Sequence, residues 1–175
     1  MKLFNKSKLS DIVLEPLLTA AGRAVGARTT GVVVKVTQGC NRGVSGIAYQ
    51  CYEVYKWHLW KGGSRKKGIK TDGGYFQLTI PRPAKGWDCL GLAQQVFEVA
   101  AHEWVHIRDY QHGGRWAMPF ASRGNGGRRS IHDRRPEELR AINTVDEALN
   151  RGAVERNQDL IINLAIAMEM VAGSR

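Results

Sequence analysis

The chain has 175 residues, 43% of them hydrophobic and 24% charged, which fits one globular domain burying about two thirds of its unfolded surface and excludes wholesale disorder. Its 26 basic residues against 16 acidic ones leave a formal net charge of +10. The three cysteines, Cys40, Cys51 and Cys89, form no C-x-x-C pair, which argues against a disulfide framework or a cysteine-rich zinc finger and for a reducing compartment.

The first segment, MKLFNKSKLSDIVLEPLL, starts basic, but Asp11 and Glu15 interrupt its apolar part and no small-residue cleavage site follows. A signal peptide is therefore not expected, and no apolar run reaches the ~18 residues of a membrane span. The expected location is cytoplasmic. Residues 10–25 have helical apolar spacing, with Ser10 as N-cap and Pro16 as a kink. Residues 31–37 (GVVVKVT) are β-branched and predict a strand. Residues 47–60, rich in Tyr and Trp, predict one strand or a hairpin, and 61–74, with five basic residues among glycines, predict a solvated loop. Residues 75–80 (YFQLTI) predict a short strand closed by Pro81 and Pro83.

Beyond Trp87 the pattern becomes helical. Residues 90–110 contain no proline and many good helix formers, with Leu92, Val96, Val99 and Glu103 on one stripe. A glycine-rich basic stretch, 113–135, follows. Pro136 suits the first turn of a further helix from Glu137, and 154–171 predict a last, mostly apolar one. Strands first and helices afterwards predict an α+β fold.

The chemistry-bearing motif is His102-Glu103-Trp104-Val105-His106, an H-E-x-x-H inside the predicted helix. Positions i and i+4 lie about 40° apart on a helix, so both imidazoles reach a single Zn²⁺. Glu103, about 100° round, is placed as general base toward a metal-activated water. A shuffled chain of this composition would contain the motif by accident roughly 0.7% of the time, so chance is a poor account of it.

A catalytic zinc needs a third protein ligand. His112 completes the spacing H-x₃-H-x₅-H of metzincins, and Met118 could stand for their Met-turn, but Asp109 occupies the position of their turn-forming glycine. On a continuing helix His112 would sit about 240° round and ~9 Å along from His106, out of reach. The other candidates are Glu137 and Glu138, which could equally serve only to favour a helix N-terminus.

Residues 102–148 resemble the gluzincin arrangement, in which a glutamate from a following helix completes a His₂Glu site. The segment Arg135-Pro136-Glu137-Glu138-Leu139-Arg140-Ala141 is similar to an R-P-x-E-x-x-A pattern of small bacterial and phage zincin-like metallopeptidases. That resemblance implies His102, His106 and Glu138 as zinc ligands, with Ala141 leaving room one turn on. It also implies one zincin-like domain over residues 1–175, a small twisted sheet packed on the H-E-x-x-H helix and followed by C-terminal helices. A mostly helical first half, with the site between helices, is the alternative. Asp109, 20° from His102 on the helical wheel, could orient a ligand histidine; Tyr110 and His132 could donate to an oxyanion. The resemblance also implies that the strand before the active helix, 75–80, pairs with an extended substrate, although the same strand could simply belong to the core.

Net charge is +5 over residues 1–60, +8 over 61–135 and −3 over 136–175. The excess surrounds the motif, in 61–70 and 123–135, where it serves either solubility or an acidic partner such as nucleic acid. No helix-turn-helix, RNP-type or zinc-finger signature accompanies it. The expected function is therefore a zinc-dependent peptidase acting on a peptide or protein. The alternative is a basic nucleic-acid-associated or phage structural protein with a vestigial zincin site.

Overall fold

A computed structural model describes residues 1–39, 43–49, 55–58, 63–66, 73–112 and 136–174. The chain opens with strand β1 (Lys2–Lys6). Ser10 then caps helix α1 (Asp11–Ala24), its side chain accepting from the Ile12 N–H. Pro16 stands inside α1, where it removes one i→i−4 hydrogen bond. The buried Leu14, Leu17, Leu18 and Ala21 follow helical spacing and hold the helix against the core. Strand β2 (Val33–Gly39) lies parallel to β1, so α1 is the crossover that a parallel pair requires.

With β3 (Ser45–Tyr49) and β6 (Tyr75–Pro81), these strands form a four-stranded sheet of order β1-β2-β6-β3. Strand β6 is parallel to β2, and β3 is antiparallel to β6, with Ala48 opposite Phe76. Residues 47–60 therefore hold parts of two strands that belong to different sheets. Strand β4 (Tyr55–His58) pairs with β5 (Gly63–Lys66), so part of the stretch expected as a solvated loop is a strand. Strand β6 is interior, which corrects its expected role as the substrate's partner: both its edges are taken by β2 and β3. Its near-continuous burial at Tyr75, Phe76, Leu78 and Ile80 is the signature of an interior strand.

Helix α2 (Cys89–Gln111) starts at Asp88, whose side chain accepts from the Gly91 N–H at 2.8 Å. It packs on α1, on β3 and on β6. Trp104 is the central wedge: fully buried, edge-to-face with Phe76 at 5.0 Å, it donates from Nε1 to the Leu18 carbonyl at 2.8 Å. Helix α3 (Pro136–Asn150) begins with proline at its first position, as expected. The expected last helix is two: α4 (Ala153–Arg156) and α5 (Gln158–Gly173), separated at Asn157. Leu164 and Met168 of α5 join the core.

The protein is thus mixed α/β, a small four-stranded sheet with helices packed on it, and a mostly helical first half is excluded. Among the described residues no helix is long and apolar enough to cross a membrane.

Gly22 tests the packing at Trp104. An added Cβ there would stand 3.0 Å from two indole atoms and 3.0 Å from Thr29 Cγ2. Glycine-to-alanine inside a helix normally gains about 0.5–1 kcal/mol. Gly22→Ala is expected to reverse that sign and lose about 1–3 kcal/mol through overpacking, read as a lower urea midpoint at unchanged slope. A midpoint equal to or above wild type would contradict this packing.

Candidate metal centre

Helix α2 carries His102 and His106 on one face, one turn apart, with ring centroids 4.8 Å apart and planes at 78°. Helix α3 packs on α2 through its buried stripe Ala141, Val145 and Ala148. That docking brings Glu138, in the first turn of α3, to the two imidazoles. His102 Nε2 lies 3.1 Å from Glu138 Oε2 and 3.1 Å from His106 Nε2. His106 Nε2 lies 3.5 Å from the same carboxylate oxygen. Among the described residues, these three form the group of His, Cys, Asp or Glu side chains close enough to share a metal ion.

The donor set fits zinc in kind and in spacing. Two imidazole nitrogens and one carboxylate oxygen are ordinary zinc ligands, and bonds of about 2.0–2.1 Å in a tetrahedron separate ligand atoms by about 3.3 Å. The observed separations of 3.1, 3.1 and 3.5 Å bracket that edge. His106 is buried, whereas the His102 side chain is 25% exposed, so solvent reaches the centre from the His102 side.

Glu103 is turned toward β3 and is only 6% exposed. Burial pushes its carboxyl up to about 8, with the nearby Glu138 adding to the rise; His102 and the Ala48 N–H pull the other way. Gly46 makes room for it, since a Cβ there would fall 2.5 Å from Glu103 Oε1. Neither β3 contact was singled out from the sequence, although a glycine inside a strand is a signal of close approach.

The remaining expected residues separate clearly. Helix α2 continues to Gln111 and His112 is its exposed C-cap, outside the cluster, as a helix without a turn at Asp109 requires. Glu137 also lies outside it. Asp109 accepts from Arg108 Nη2 at 3.2 Å and from Arg140 Nη1 at 3.2 Å, so its described partners are arginines and not a ligand histidine. Arg140, which no motif in the sequence marks, thereby ties α3 to α2 two residues beyond Glu138. Tyr110 is half-buried beside Gly74, where an added Cβ would come within 3.7 Å of its ring. Met118 and His132 lie outside the described residues. No protein-family model, curated protein or solved structure matches the chain.

The buried carboxyl makes metal-free stability depend on pH. The ordinary value of 4.5 applies to Glu103 in the unfolded chain and about 8 in the folded one, so between them the folded protein holds the extra proton. Its stabilising contribution is complete below about pH 4.5 and is lost as pH rises toward 8. Chelator-treated protein should show a urea midpoint that falls from pH 5 to 8. Glu103→Gln should flatten that dependence, and parallel pH profiles for the two proteins would contradict it.

Proposed function

We propose that the chain is a zinc-dependent peptidase of gluzincin type, a single zincin-like domain in which His102, His106 and Glu138 hold the metal. The observation that carries this reading is the meeting of three zinc-type donor atoms within 3.5 Å, beside a buried glutamate that is not one of them. When bound, zinc supplies a Lewis acid and lowers the pKa of water to about 7. Glu103 then has the base's part: its carboxylate accepts a proton from the attacking water and returns it to the leaving amine. The Ala48 N–H orients that carboxylate, and its burial keeps competing solvent away. An extended peptide would run along β3, the last strand of the described sheet and the one beside α2.

Metal analysis of the purified protein should find about one zinc per chain. Glu103→Gln should keep that zinc and lower peptide hydrolysis by about 10²- to 10⁴-fold, the usual share of a general base. A protein that takes up no zinc on reconstitution overturns the reading and leaves the basic, nucleic-acid-associated protein with a vestigial site.

The ligand set is tested separately by chelator competition. Glu138→Ala should weaken zinc binding by at least the ~10–100-fold that loss of even an outer partner causes. His112→Ala and Glu137→Ala should leave affinity nearly unchanged. If His112→Ala strips the metal and Glu138→Ala does not, Glu138 is not the ligand.

A further inference from the structure

An open groove of about 330 Å³ runs between the approach to β3, the middle of α2 and the inner face of α3. Val44, Val99, Ile142 and Val145 give it apolar walls. His102 belongs both to this lining and to the metal-type cluster, so the groove opens directly beside the candidate centre. The two ionisable carboxyl groups of its lining are Glu98 and Asp146, and no lysine or arginine joins them among the described residues. In a chain with 26 basic and 16 acidic residues, that is a local reversal of sign.

The arrangement has a definite chemical complement. Glu98 is half-buried and fixed one helical turn before His102, its Oε1 accepting from Gln94 Nε2 at 2.8 Å. Asp146 is exposed at the α3 rim. Aliphatic walls ending in carboxylates match a side chain with a methylene stem and a cationic head, which buries the one and leaves the other at the water boundary. A neutral aliphatic side chain would use only the walls, and an acidic one would face two like charges.

We propose that this groove is a specificity subsite that takes an arginine- or lysine-type side chain of the substrate. Its use in cleavage rests on the peptidase reading above; the binding event does not. The occupant places its stem against Val99 and Val145 and its charge between Glu98 and Asp146.

The test is a titration of methyl-labelled full-length protein with N-acetyl-arginine amide, N-acetyl-norleucine amide and N-acetyl-glutamate amide. The arginine compound should shift the Val99, Ile142 and Val145 methyl signals and bind roughly three- to tenfold tighter than norleucine, the range of exposed ion pairs. The glutamate compound should bind weakest. Combined Glu98→Gln and Asp146→Asn should bring arginine to the level of norleucine and leave norleucine unchanged. Norleucine binding as tightly as arginine in the unaltered protein, or an arginine preference that survives both substitutions, overturns the proposal. A second arm offers the zinc-loaded protein peptides that differ at one residue. Cleavage indifferent to basic residues overturns the subsite. Absence of all cleavage, with methyl selectivity intact, overturns the peptidase reading alone and supports the groove as a cation-binding site.

Discussion

Everything about the candidate centre depends on one carboxylate crossing from α3 to α2. Glu138 is 36 residues from His102 in sequence, yet Oε2 lies 3.1 Å from His102 Nε2. The two histidines need only one regular helix to face the same way. The third donor needs two helices docked in a fixed register. Small residues make that docking close: Ala141 is fully buried one turn beyond Glu138, and Val145 and Ala148 extend the seam. The Asp109–Arg140 pair adds registration more than stability. Arg140 is 57% exposed, and an ion pair with one partner so open to water contributes at most about 1 kcal/mol.

Helix α2 serves two masters through adjacent residues. Trp104 faces the core, where its ring meets Phe76 and its Nε1 binds the Leu18 carbonyl. Glu103 faces β3, where Gly46 and the Ala48 N–H accommodate its carboxylate. Rotation of α2 about its axis would break both sets of contacts at once. The core wedge therefore positions the acid, and a large buried aromatic holds a polar group that could not position itself. Strand β3 gains its place from the other side, through its antiparallel register on β6.

Much of this was legible in the sequence because it is written in local periodicity. The H-E-x-x-H spacing, the uninterrupted helix around it and Pro136 at a helix start each follow from short-range rules, and α2 and α3 match them. The choice against His112 followed from helix geometry alone. Choosing Glu138 over Glu137 rested on resemblance, since adjacent glutamates in one turn look alike until the partner helix is docked. Strand β1 went unread because its five residues, KLFNK, alternate weakly and stand beside a basic start. Strand β6 is legible in the sequence, but its neighbours are not, since sheet order is decided by distant pairings. Asp109 was expected beside a ligand histidine, but its partner across the helix seam is Arg140, 31 residues on.

Burial adds an argument that spacing does not contain. Among the described residues, the buried polar or charged side chains are Glu103 and His106, set in an otherwise aliphatic and aromatic core. Removing a carboxyl from water costs several kcal/mol unless it is protonated, paired or near a cation. Against a whole stability of about 5–15 kcal/mol that cost is large. An aliphatic residue at position 103 would spare it, losing only the bond from the Ala48 N–H. Sequences break local rules of this kind chiefly where function demands it. The same two residues are thus singled out twice, once by their spacing and once by a burial that is costly for a charged group. A divalent cation among His102, His106 and Glu138 would relieve that burial by favouring the ionised form of Glu103. Without a metal, burial instead holds Glu103 toward its neutral form.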